Sequence, residues 1–259
     1  MTQRFIYPNV RAQVTEGEWR ARVELAAFYR TVAHYGMTDL TANHITLRVP
    51  DAPDHFLINP LGLYYEEITA SSLLKIDRAG KILVQPDSNY GLNYTGFVIH
   101  GAIHDARPEI NCIIHTHTQA GVAVSAMKEG LMMCSQSSLM LDGKIGYHDF
   151  EGIALELGEQ ERLAADLGHN NVLILRNHGL LACGRTVAET FVAMYQLEMA
   201  CRTQIAIMAA GGKVNPISAA AMEATRKAFA KYWSSGVMGR LDWAAELRRL
   251  DRNDPSYRD

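Results

Sequence analysis

The run Cys112-Ile-Ile-His115-Thr-His117 constrains this chain more than any other segment. Short, apolar and rich in isoleucine, it reads as a buried β-strand. Side chains alternate faces along a strand, so His115 and His117 leave it on the same side. A second apolar run, Val172 to Leu175, leads into Arg176-Asn177-His178-Gly179 and delivers a third histidine in a loop. Three imidazoles with a position left open describe a catalytic metal centre rather than a structural one. Taken alone, a pair of strand histidines is equally a set of ordinary satisfied polar residues.

The rest of the chain supplies a context of alternating helices and strands. Glu16 to Tyr35 has helical apolar spacing and is followed by Gly36 as a cap. Strands are expected at His44–Val49 and at 54–58, the latter running into the turn Asn59-Pro-Leu-Gly62. Leu74–Ile76 and Lys81–Val84 read as a hairpin. A helix through Phe97, Ile99 and Ile103 must stop before Pro108. Helices are further expected at 120–127, 160–167, 186–210, 218–233 and 241–250, with a strand end at Tyr147–Phe150 and a strand at Leu180–Cys183. Central strands flanked by helices favour one α/β/α domain over residues 1–259.

Composition excludes several classes. A net charge of −3 over 259 residues gives no footprint for nucleic acid or an anionic membrane. No apolar run approaches the ~18 residues of a membrane span, and Met1 to Pro8 lacks a signal-peptide core. Cys112, Cys134, Cys183 and Cys201 form no C-x-x-C pair and read as reduced thiols of a cytoplasmic protein.

Five motifs then occur in a fixed order: His44-Ile-Thr46-Leu-Arg48, Leu57-Ile-Asn59-Pro-Leu-Gly62, His100-x-x-Ile103-x-x-x-Arg107-Pro108, His115-Thr-His117 and Arg176-Asn-His-Gly179. Together they resemble the class II aldolase/adducin family. The resemblance covers about residues 18–215 and leaves 216–259 as a C-terminal helical extension. It implies a three-layer α/β/α sandwich around a mainly antiparallel sheet, and a homotetramer with active sites at subunit interfaces. It also implies a divalent metal held by His115, His117 and His178, with zinc expected first and manganese or iron(II) as alternatives. Details such as Tyr65-x-Glu67-x-Thr69-Ala-Ser-Ser72 resemble the adducin head, but the chain carries no basic, lysine-rich tail.

Two departures from the aldolase pattern bear on chemistry. Four places ahead of His100 the aldolases keep an acidic metal ligand and acid/base; here stands Gly96. The small and hydroxyl residues that cradle a phosphate are replaced by His44, Asn59 and Tyr94, which are expected to contact a substrate without phosphate. Candidates for the missing proton carrier are His148, Tyr147 and His100, with His100 also a possible support for the metal site. His104 is expected at the surface or an interface, and Arg48 as a brace. The resulting expectation is a metal-dependent lyase cleaving or decarboxylating a small hydroxy- or keto-acid. An iron(II) oxygenase and a non-catalytic adducin-like interaction module are the alternatives.

Overall fold

The computed structural model describes residues 5–152 and 157–259; Met1–Arg4, half of the segment read for a signal peptide, lie outside them. A short α1 (Pro8–Arg11) precedes α2 (Glu16–His34). The Thr15 hydroxyl caps α2 by accepting from the Glu18 amide, and Gly36, at φ 63°, follows its end. Next come β1 (His44–Val49), β2 (Ala52–Ile58), β3 (Leu74–Asp77) and β4 (Ile82–Val84). After them α3 (Tyr94–Ala106) leads to β5 (Cys112–Thr116), α4 (Gln119–Ser125), α5 (Gln136–Met140) and β6 (Ile145–His148). The chain continues through α6 (Leu157–Leu167), β7 (Val172–Leu175), β8 (Gly179–Gly184), α7 (Val187–Ala209), α8 (Ala219–Ser234) and α9 (Arg240–Asn253).

Among the described residues the strands form one eight-stranded sheet in the order β4-β3-β2-β1-β5-β8-β7-β6. Every pairing is antiparallel except that of β6 with β7. Ile113, Leu173, Leu175 and Leu181 carry α3 and α6 on one face. Ile45, Leu47, Ile114, Leu180 and Ala182 carry α2, α4 and α7 on the other. Both faces are therefore covered, which is why β5, β7 and β8 read as unbroken apolar runs rather than alternating ones. The extension after α7 seals the second face: the Trp233 indole donates to the Met140 carbonyl, and Trp243 sits edge-on to Phe28. Among the described residues no helix is long and apolar enough to cross a membrane, and all four cysteines are unpaired.

Two helices were not expected. α1 and α5 are one turn or little more, too short for periodicity to mark. α5 is set by a local hydrogen-bond box in which Ser135 and Ser138 cap each other. β6 begins earlier than read and ends at His148, leaving Asp149 and Phe150 beyond the sheet.

One side chain ties the first strands to the helical layer. The Tyr29 hydroxyl, fully buried, accepts from the Ile45 and Asn59 amides at 3.0 Å each. Its own proton is shared between the Ile45 carbonyl and Asn59 Oδ1. Tyr29→Phe keeps the ring but orphans two buried amides. The expected cost is about 2 kcal/mol, read as a lowered urea midpoint with unchanged slope; an unaltered midpoint contradicts the role.

Candidate metal centre

Residues directly opposite each other across a sheet share a face. The register pairs His44 with His115, His115 with Leu181, Leu181 with Leu173, and Leu175 with His148. His44, His115 and His148 therefore all point toward the α3/α6 layer. Tyr147 is opposite Ile174 and points the other way.

His178 reaches this face through the three-residue loop between β7 and β8. The His178 amide donates to the Leu175 carbonyl, closing a turn in which Asn177 takes φ 57°. Asparagine is one of few residues that adopts this conformation at small cost. Gly179 is dictated by close approach, since a Cβ there would lie 2.4 Å from the Thr116 carbonyl oxygen. The motif Asn-His-Gly is thus one turn residue, one functional residue and one residue without a side chain.

The three histidines converge. Nε2 of His117 lies 2.7 Å from that of His115 and 3.1 Å from that of His178, and the third separation is 3.3 Å. The other ring nitrogens fix their state. His115 Nδ1 faces the Leu180 carbonyl at 2.9 Å and His117 Nδ1 faces the Asp39 carboxylate at 3.1 Å. Both partners only accept, so both Nδ1 atoms carry a proton, and in the neutral rings both Nε2 atoms are bare. Two lone pairs aimed at each other across 2.7 Å call for a cation between them. A proton serves poorly: burial, then the neighbouring imidazoles, hold His115 far below the usual histidine range, and burial brings His178 to about 4. Zinc–nitrogen bonds of about 2.0–2.1 Å in a tetrahedron put nitrogens about 3.3 Å apart. The donor set fits a divalent ion of that size, with Asp39 and the Leu180 carbonyl as its outer supports.

A cleft of about 390 Å³ opens over this group. His44 and the three metal-type histidines line it, with Leu61, Ile99 and Phe150 as apolar wall. Among the described residues lining it there is no lysine or arginine. The His44 ring is 5.1 Å from that of His115 and fills the space above Gly96, where a Cβ would meet the ring at 2.5 Å. Glycine at 96 and histidine at 44 are therefore one structural exchange: a carboxylate side chain at 96 and this ring cannot coexist.

The remaining expected residues are placed unevenly. His100 is buried behind His44, its Nε2 3.0 Å from His44 Nδ1, and does not line the cleft. His148 is buried on the same face, with Nδ1 2.8 Å from Asp166 and Nε2 3.6 Å from Glu159, and like His100 it is not among the residues lining the cleft. Tyr147 is not brought to the triad; its hydroxyl accepts from the Leu131 amide and its ring lies under the Arg176 guanidinium. Asn59 is spent on Tyr29 and the Asn43 carbonyl, and Tyr94 is half exposed against Phe97. His104, expected at the surface or an interface, is instead buried within the chain: its ring stacks on Phe56 and hydrogen-bonds Thr46. Arg48 does brace the fold, donating to the His104 and Ile110 carbonyls. Asp39 was missed, because it stands in an irregular loop beside Leu40 (φ 45°) with no pattern to single it out.

With this geometry in place, the comparisons with known proteins are specific. Residues 23–205 match the model of the class II aldolase and adducin N-terminal domain. The chain belongs to the class II aldolase and adducin family. It is 46% identical over 198 residues to rat alpha-adducin, covering 76% of this chain but 27% of that protein. A structure of an aldolase II superfamily protein from Pseudomonas syringae superposes with a TM-score of 0.91 at 44% identity, covering 97% of this chain and all of the other. An L-fuculose 1-phosphate aldolase from Glaciozyma antarctica superposes at 0.80 with 28% identity, over all of this chain and 98% of that one.

Acid should unfold the protein through its buried imidazoles. Burial, then Arg48, lowers His104 from 6.5 to about 3. The unfolded chain therefore binds a proton that the folded one refuses, and stability falls as pH drops below about 6.5. Between pH 7 and pH 5 His104 alone should account for about 2 kcal/mol. Urea midpoints across that range should decline in the wild type and decline less in His104→Gln; equal slopes would contradict the assignment.

Proposed function

We propose that the chain is a divalent-metal-dependent lyase that performs aldol-type cleavage or decarboxylation of a small, non-phosphorylated hydroxy- or keto-acid. The observation that carries this reading is the convergence of three Nε2 atoms in a cleft large enough for a small substrate. A bound divalent ion, zinc by preference, would polarise a substrate carbonyl and its neighbouring hydroxyl. His115, His117 and His178 hold it. His44 stands beside the open side of that group, where a residue-96 carboxylate cannot be, and contacts the substrate. His148, oriented by Asp166, is the remaining proton carrier on this face.

The lining supports the substrate class. Leu61, Ile99 and Phe150 offer apolar surface and no charge for a phosphate. An adjoining hollow beyond Phe150 is lined by Lys128 and Arg176, which offer cations to an acidic group of either kind. Leu61, Phe150 and Leu40 are 44%, 55% and 71% exposed. Such apolar surface, with two of the three in the cleft wall, supports a homotetramer with active sites at subunit interfaces; the compartment we propose for it is the cytoplasm. Gly96 and the 46% identity to alpha-adducin favour one second reading, a non-catalytic interaction module.

Metal analysis of protein purified without chelator separates these readings. About one zinc or manganese per chain, lost in His115→Ala, is expected. Iron accompanied by oxygen consumption would move the assignment to an oxygenase, and no metal would leave the interaction module. Dihydroxyacetone phosphate should support no aldol turnover; efficient turnover contradicts the non-phosphorylated substrate.

A further inference from the structure

Behind the cleft, β1 and α3 bury a continuous line of hydrogen bonds. Alternate residues of β1, His44, Thr46 and Arg48, face His100 and His104, which share one side of α3 at i, i+4. His44 Nδ1 is 3.0 Å from His100 Nε2, His100 Nδ1 is 2.8 Å from Thr46 Oγ1, and Thr46 Oγ1 is 2.9 Å from His104 Nε2. All three imidazoles are at most 2% exposed, and burial keeps each of them uncharged, well under the usual histidine range.

A neutral imidazole has one donor and one acceptor nitrogen, and a hydroxyl has one proton to give. Such a line therefore has two settings, and whatever fixes one end fixes the other. The far end is fixed by a backbone oxygen. His104 Nδ1 lies 3.2 Å from the Ile110 carbonyl. Arg48 Nη2 is also within 3.4 Å of that nitrogen, but its two hydrogens have closer acceptors in the carbonyls of His104 at 3.0 Å and Ile110 at 3.2 Å. His104 Nδ1 must then be the donor.

The rest follows by alternation. His104 Nε2 is bare and takes the Thr46 proton; the Thr46 oxygen takes the proton on His100 Nδ1; His100 Nε2 is bare and takes the proton on His44 Nδ1. We propose that the Ile110 carbonyl, through His104, Thr46 and His100, locks His44 as the Nδ1–H tautomer and so presents a bare Nε2 to the cleft beside the triad. His100, Thr46 and His104 are thus positioning residues, and His44 is an acceptor for a hydroxyl proton of the bound molecule. Its use in turnover rests on the lyase reading above; the tautomer does not.

Long-range nitrogen–proton NMR of the histidine rings in the metal-free, ligand-free chain at pH 7.5 reads the tautomers directly. The Nδ1–H form is expected at His44, His100 and His104 together, with His44 Nε2 in the unprotonated range. The Nε2–H form at His44 overturns the proposal. Thr46→Val cuts the line while keeping the branched shape; His44 should then become a mixture of tautomers, and Thr46→Ser should restore the single form. An unchanged His44 in folded Thr46→Val also overturns it. Should Thr46→Val not fold, the wild-type tautomers and Thr46→Ser decide. Absence of lyase activity with the expected tautomers would sink the functional reading alone.

Discussion

Two bare imidazole nitrogens 2.7 Å apart, with a third beside them, form an arrangement that folding alone does not favour. It persists because each ring is held from behind: His115 by the Leu180 carbonyl of the next strand, His117 by Asp39. The rest of the architecture serves that convergence. β5 lies between β1 and β8, so its histidine has His44 on one side and the Asn177–His178 turn on the other. Apolar layers on both faces exclude water from the sheet, which keeps His115 and His178 uncharged and their lone pairs available.

The same burial that creates the site sets its limits. Space above the sheet is single-occupancy: His44 over Gly96 shuts out a carboxylate side chain at 96 and leaves nitrogen chemistry in its place. A buried polar line must also be complete, since an unmatched donor costs more than the bond contributes. Here His44, His100, Thr46, His104 and the Ile110 carbonyl match donor to acceptor along the whole path. A helix and a strand that look like scaffold thereby bear on the state of one ring in the cleft.

Much of this was legible from residue order. The strand character of Cys112–Thr116 and Val172–Leu175 and the helix stopping before Pro108 follow from periodicity and spacing, whereas the triad follows only once the five ordered motifs supply the family resemblance. What escaped depends on distant or unpatterned partners. Nothing local distinguishes His104 from a surface histidine until Phe56 stacks on it. Asn59 resembles a substrate contact until Tyr29, thirty residues away, takes its oxygen. Tyr147 and His148 are adjacent in sequence, yet the alternation of β6 sends them to opposite faces, and only the register tells which one shares the face of the triad. α5 rests on a serine cap rather than on any repeat.

The central claim is that His115, His117 and His178 together hold one divalent ion. X-ray absorption at the zinc edge of the zinc-loaded protein tests it most directly. The account predicts three imidazole nitrogens at about 2.0–2.1 Å with the remaining positions filled by oxygen. A shell containing sulfur, or with only one or two imidazoles, would contradict it.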